Sequence, residues 1–310
     1  MPRYALLTYM EAASLWVKSV VFDERTLTAV PGTMLDGPAS ETDRLRAWSE
    51  SDGGTCSGPF YNVPYEEWAA WSRPEDRALH VYRDPRDRLI SWVCSMSYSH
   101  RTYSIAGAMR TPLCSLDLRD RISVGIVATA PAIWMSRTWL NPPEPRNFFS
   151  VSFEALVEHP AREFAAIFES FEWTIPSAVL DDVLARRSFE VFSGARARGE
   201  TNVMHHYRRG VSGNWKNYFD RELGRLFEEN YPRALIDMGY ETSETWFETL
   251  PEANEVLERD ESAIAPTDDV VLADIDHLRR RNEALETGFA AQSRLLAEYQ
   301  AIAGAIAGSL

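Results

Sequence analysis

Three short β-prone runs, each passing into a helical pattern, constrain this chain more than anything else in it. They are Arg3–Tyr9 (RYALLTY), Arg77–Tyr82 (RALHVY) and Asn147–Phe153 (NFFSVSF). Strands separated by helices pair in parallel, because each crossover helix returns the chain to the same end of the sheet. Such sheets are covered on both faces and gather ligands at their C-terminal strand ends. The expected fold class is therefore α/β, a parallel sheet flanked by helices.

The remaining elements follow from periodicity and punctuation. A helix is expected through Leu15, Trp16, Val20 and Val21, close behind the first strand, an opening shared by many phosphate-binding α/β folds. Pro31–Pro64, rich in Gly, Pro, Ser and Asp, reads as loops and a short helix. Tyr65–Trp71 looks helical, and Asp84 as N-cap with Pro85 at the first helical position should start a helix that runs to about His100. Leu116–Leu140 suits a long helix kinked or split by Pro131. Ala161–Phe171 and Ser177–Arg186 are helical, and Asp220–Met238 is amphipathic with a bend at Pro232.

Past Glu248 the character changes. Residues 1–248 form the expected domain, and 249–269 read as an acidic linker interrupted by Pro251 and Pro266. Residues 270–310 form a C-terminal helical appendage with heptad positions at Ile275, Leu278, Asn282, Leu285, Phe289, Gln292, Leu296 and Tyr299. Two readings fit it: a coiled coil that makes a homodimer, with Asn282 fixing register, or a helix folded back on its own domain.

The net charge of −14 argues against nucleic acid as a partner, since phosphate backbones select basic surfaces. Of the 32 basic residues only Lys18 and Lys216 are lysines, so any anion site must be built largely from arginine forks. The 3 cysteines and 6 histidines show no ligand spacing, and no metal is expected. The N-terminus lacks a signal-peptide core, and no apolar run reaches the roughly 18 residues of a membrane span. A cytoplasmic protein without membrane partners is expected.

Two segments carry chemistry. In Tyr82-Arg-Asp-Pro-Arg-Asp-Arg-Leu-Ile-Ser91, Arg83 ends a strand and Ser91 lies about two turns into the next helix, so the two can share one phosphate. The competing reading is a capped helix whose Asp84, Arg86, Asp87 and Arg88 make surface ion pairs. In His205-His-Tyr-Arg-Arg-Gly-Val-Ser-Gly-Asn-Trp-Lys-Asn217, Arg208 and Arg209 supply charge and Gly210 permits close backbone approach to an anion. A solvated turn fits that segment equally well.

Together these segments resemble the cytosolic-type sulfotransferase family, which uses 3′-phosphoadenosine 5′-phosphosulfate (PAPS). Arg83 to Ser91 matches the family's Arg-Asp/Asn-Pro-Lys/Arg-Asp motif with its later Ser. Arg208 to Asn217 matches Arg-Lys-Gly-x-x-Gly-Asp-Trp-Lys-Asn, with Arg209 for Lys and Asn214 for Asp. Ser152-Phe-Glu-Ala-Leu-Val-Glu-His-Pro160 is similar to the intervening Tyr-Glu-Asp/Glu-Leu…Pro segment, with Phe153 in the tyrosine position. The resemblance spans residues 3–245. It implies a P-loop-like fold in which Arg83, Ser91, Arg208, Arg209 and Gly210 hold the 3′-phosphate and Trp16 stacks on adenine. It also implies PAPS as sulfuryl donor and a small-molecule hydroxyl or amine as acceptor.

The resemblance breaks at the family's 5′-phosphosulfate loop, Thr-Tyr-Pro-Lys-Ser-Gly-Thr-Thr-Trp. Here Thr8-Tyr9-Met10-Glu11-Ala12-Ala13-Ser14-Leu15-Trp16 matches at its ends only: Ser14 keeps a hydroxyl, but Glu11 stands in the lysine position and Ala13 in the glycine position. At an effective dielectric of about 20, two like charges about 4 Å apart repel by roughly 4 kcal/mol. The stretch where the family carries its catalytic histidine reads Phe60-Tyr-Asn-Val-Pro64 and holds none. Glu66, Glu67, His100 and Glu11 are the substitute bases to consider. The alternative is a catalytically silent relative that binds the nucleotide or a partner protein.

Overall fold

The computed structural model describes residues 1–30, 32–35, 41–99, 105–140, 142–144, 146–202 and 204–252. Five strands, β1 (Tyr4–Thr8), β2 (Thr33–Met34), β3 (Thr55–Tyr61), β4 (Arg77–Tyr82) and β5 (Phe148–Ser152), form one sheet in the order β2-β3-β1-β4-β5. Every neighbouring pair is parallel. β1 lies at the centre, between β3 and β4, and all five of its residues are buried. Its side chains alternate between two cores, as a pleated strand requires. Tyr4 and Leu6 pack with Val17, Val20, Phe164, Ile167 and Phe168, whereas Ala5 and Leu7 pack with Trp48, Phe60, Trp68 and Trp139.

Helices α1 (Ser14–Val21), α2 (Glu24–Ala29), α3 (Glu41–Glu50) and α4 (Tyr65–Trp71) belong to the N-terminal half. Then come α5 (Pro85–Cys94), α6 (Ile105–Cys114), α7 (Leu118–Ala128) and α8 (Ala130–Thr138). The C-terminal half carries α9 (Phe153–Glu158), α10 (Pro160–Ser170), α11 (Ser177–Arg186), α12 (Phe189–Ser193), α13 (Arg221–Asn230) and α14 (Ala234–Asp237). A third core gathers α5, α7 and α13 through Leu89, Val93, Ile122, Leu223 and Phe227, with Trp246 from the short turn beyond them. Among the described residues no helix is long and apolar enough to cross a membrane.

The helix expected from Asp84 is present: the Asp84 side chain accepts the Arg86 amide at 2.9 Å, Pro85 opens α5, and a wider π-type turn carries it on through Ser99. The long helix expected over Leu116–Leu140 is split at Thr129, just ahead of Pro131, where a ring without an N–H cannot continue the ladder. Pro232 likewise ends the stretch after α13, and the chain restarts through Arg233 at φ 62° into α14.

One expectation needs correction. Pro31–Pro64 contains not only loops and a helix but also β3, a seven-residue strand directly beside β1. Its sequence, TCSGPFY, hides it, because Gly and Pro argue against an interior strand. Gly58 (φ 131°) and a cis Gly58–Pro59 bond form an irregularity in the pairing. Only glycine fits there, because a Cβ would lie 2.5 Å from the Leu6 carbonyl oxygen. His100 and residues 253–310, including most of the expected linker and the whole heptad segment, lie outside the described residues.

Candidate functional site

The sheet order reverses direction around β1, and a cavity of about 330 Å³ opens beyond the C-terminal ends of the central strands. The chain after β1 supplies Met10 through Trp16, apart from Ala12; the last residue of β3 and the one after it supply Tyr61 and Asn62; and Arg83 and Phe153 follow β4 and β5. Ser91 and Cys94 of α5 line it as well, and a loop after α12 contributes Arg198 and His205 through Val211. Nine of the residues singled out in the sequence thus face one space: Glu11, Ser14, Trp16, Arg83, Ser91, Phe153, Arg208, Arg209 and Gly210. Glu66 and Glu67 do not line it, and His100 is outside the described residues.

Arg83 is fixed from several sides. Its amide donates to the Tyr9 hydroxyl at 2.6 Å, and that hydroxyl donates to the Arg83 carbonyl at 2.8 Å, so β1 and β4 are latched together at the cavity floor. Burial raises the Tyr9 phenol above its ordinary range and keeps it a neutral donor. Arg83 Nη1 donates to Ser91 Oγ at 3.0 Å and to the Glu11 carbonyl at 2.9 Å, and the guanidinium lies 4.3 Å from the Phe153 ring centre. Arg83 and Ser91, expected to share one phosphate, are thus directly hydrogen-bonded to each other. Phe153 serves Arg83 as a cation–π platform.

The charged residues between Arg83 and Ser91 are not a solvated face. Asp84, Arg86, Asp87 and Arg88 are all buried. Arg86 pairs with Asp84 at 2.8 Å and Glu241 at 2.5 Å, with its guanidinium 3.7 Å from the Trp215 ring centre. Asp87 accepts the amides of Gly213 at 2.5 Å and Trp215 at 2.7 Å. Burial lifts its carboxyl, against the pull of the Arg83 charge. These bonds join the second basic segment to α5 across more than a hundred residues of chain, which is why the two motifs share one site.

Within that segment Arg208 and Arg209 diverge. Arg209 Nε donates to the Gly199 carbonyl at 3.1 Å and Nη1 to Asn214 Oδ1, so much of its head group braces the loop. Arg208 is buried in the cavity wall, and its Nε and Nη1 have no partner. Arg83 Nε and Trp16 Nε1 are buried and unpartnered as well. Gly210 has φ 68°, and a Cβ there would meet the Phe189 ring at 2.5 Å, so the loop's approach depends on glycine. Trp16 packs edge-on against Phe164 at 5.5 Å and is 9% exposed.

The loop after β1 departs from a left-handed glycine turn in composition but not in shape: Glu11 and Ala13 take φ 70° and 61°. Left-handed residues of this kind turn successive amides toward one concavity. α1 then starts without a side-chain cap, leaving its first-turn amides at the cavity. Ser14 Oγ lies 3.0 Å from the Tyr61 hydroxyl.

Four arginines and a single carboxylate, Glu11, line this cavity among the described residues, in a protein of net charge −14. Buried guanidinium N–H groups without acceptors suit an anion with several oxygens. Sequence reasoning missed Tyr61 and Asn62, because β3 was hidden. It also assigned nothing to His205, Tyr207, Phe189 or Phe192, which carry no local signal of proximity.

The family model described as the sulfotransferase domain matches residues 69–239, beyond the loop at Thr8–Trp16. Mouse sulfotransferase 1 family member D1 is 23% identical over 188 residues, covering 58% of this chain and 60% of that protein. Dog sulfotransferase 1B1 is 26% identical over 125 residues, 37% of this chain and 42% of that one. The chain thus matches at most about three-fifths of the length of these curated relatives. Among solved structures, mouse sulfotransferase SULT7A1 complexed with PAP aligns with a TM-score of 0.52 at 15% identity, over 77% of this chain and 89% of that one. At that identity the likeness concerns the fold.

Proposed function

The chain belongs to the sulfotransferase family, and on that premise we propose that its cavity holds PAPS and that the protein moves a sulfuryl group to a hydroxyl or amine of a small molecule. One observation carries the reading: Arg83 and Arg208, from segments 125 positions apart, line the same cavity and each keeps buried N–H groups without a partner. They suit the 3′-phosphate, with Ser91 and the Gly210 amide alongside. The bound nucleotide would supply the sulfuryl group on a leaving phosphate. The chain's own contribution is positioning and charge: the loop amides and the uncapped start of α1 face the 5′ end, and Trp16 forms an apolar wall for the base.

A second reading is favoured by Glu11, whose charge opposes an anion at that loop, and by the absence of a histidine from Phe60–Pro64, the stretch where the resemblance leads one to expect it. In it the protein binds the nucleotide without transfer. Incubation with ³⁵S-labelled PAPS and a panel of small phenols, alcohols and amines separates the two. Labelled product that disappears in Arg83→Ala supports transfer. Tight nucleotide binding with no labelled product supports the silent binder, and absence of binding removes both.

A further inference from the structure

His205 is half-buried in the cavity wall, three residues before Arg208. The Tyr207 amide donates to His205 Nδ1 at 3.1 Å. That bond needs a lone pair on Nδ1, so the proton of the neutral ring resides on Nε2. Among the described residues no hydrogen bond engages Nε2. Burial first, then the neighbouring Arg196 and His206, push the imidazole below its ordinary value, which favours the neutral ring. The backbone around it is itself braced. Arg196 donates to the carbonyls of Tyr207 and, at 2.8 Å, Arg208, and the Asn202 amide donates to the Arg208 carbonyl at 3.1 Å.

We propose that His205 is a further nucleotide-binding residue, a neutral donor that presents Nε2–H to the phosphate held by Arg83 and Arg208. The assignment rests on the nucleotide reading of the cavity. It gives the His205–Tyr207 bond a role beyond loop shape: the amide selects the tautomer that can donate, which sorts an anionic oxygen from an incoming N–H or O–H donor. A single such bond to a charged acceptor corresponds to roughly tenfold or more in affinity.

The test is calorimetry of adenosine 3′,5′-bisphosphate and of adenosine 5′-monophosphate against wild type, His205→Ala and His205→Gln, with thermal unfolding of each. Glutamine keeps both an acceptor for the Tyr207 amide and a donor for the ligand. The expected result is about tenfold weaker bisphosphate binding by His205→Ala, recovery to within about threefold by His205→Gln, and little change for the monophosphate. Unchanged bisphosphate affinity in His205→Ala, or equal loss in both variants, overturns the assignment while leaving the nucleotide reading intact. Failure of the wild type to bind the bisphosphate brings down the reading and the assignment together.

Discussion

Asp87→Ala probes how two distant basic segments are held at one site. The carboxylate is fully buried and accepts two amide N–H groups from the Gly213–Trp215 stretch, at 2.5 and 2.7 Å. A hydrogen bond to a charged acceptor contributes about 1.5–3 kcal/mol, so losing both removes about 3–6 kcal/mol. Part of this is offset, because burial disfavours the carboxylate itself, as the direction of its pKa shift shows. A net loss of about 3 kcal/mol corresponds to a Tm fall of roughly 6–12 °C for a domain of this size. The freed loop would also have to be ordered again when nucleotide binds. Each 1.4 kcal/mol of that ordering costs about tenfold in affinity, so the nucleotide Kd should rise about 10- to 100-fold. Calorimetry and differential scanning read the two effects. Asp87→Asn, which keeps one acceptor oxygen, should fall between. A folded Asp87→Ala protein with unchanged Tm and unchanged Kd would refute the clamp.

Three further perturbations test other parts of the account. Glu11→Lys replaces a carboxylate lining the cavity with a cation, and nucleotide binding should tighten at least about tenfold; unchanged affinity would place residue 11 away from the anion. Tyr9→Phe removes the hydroxyl that bridges the Arg83 backbone, and stability should fall by about 1–3 kcal/mol in urea titration while nucleotide binding weakens; a neutral result would dismiss the latch. His80 lies stacked on Trp139 at 5.1 Å, and burial pushes its imidazole down to about 3. The unfolded chain therefore binds the extra proton first, so the stability from a neutral His80 is complete above about pH 6.5 and falls toward pH 3, by up to about 1.4 kcal/mol per unit. His80→Phe should lack that component of the acid slope, and parallel slopes for the two proteins would contradict it.

The sequence shows β1, β4 and β5 because each is an apolar run with no internal breaker, and α5 because Asp84 and Pro85 mark its start by local chemistry alone. β3 stays hidden for an equally local reason: Gly58 and Pro59 sit inside a strand whose close approach to Leu6 is a tertiary requirement. With it went Tyr61 and Asn62. The burial of Arg86 and Asp87 was likewise illegible, because charges inside a helix normally stay in water. What permits it here is Trp215, Glu241 and two amides that arrive from much later in the chain. The cavity-lining arginines were legible as motifs, yet the difference between Arg208, with unpartnered N–H groups, and Arg209, engaged by Gly199 and Asn214, belongs to the folded loop.

The most direct measurement is the affinity of the wild-type protein for adenosine 3′,5′-bisphosphate against adenosine 5′-monophosphate at fixed salt, repeated in Arg83→Ala and Arg208→Ala. The proposed grip of Arg83 and Arg208 on the ribose phosphate predicts a preference of roughly 100-fold or more for the bisphosphate, collapsing toward equality in either variant. Equal affinity for the two nucleotides in the wild type would contradict the account.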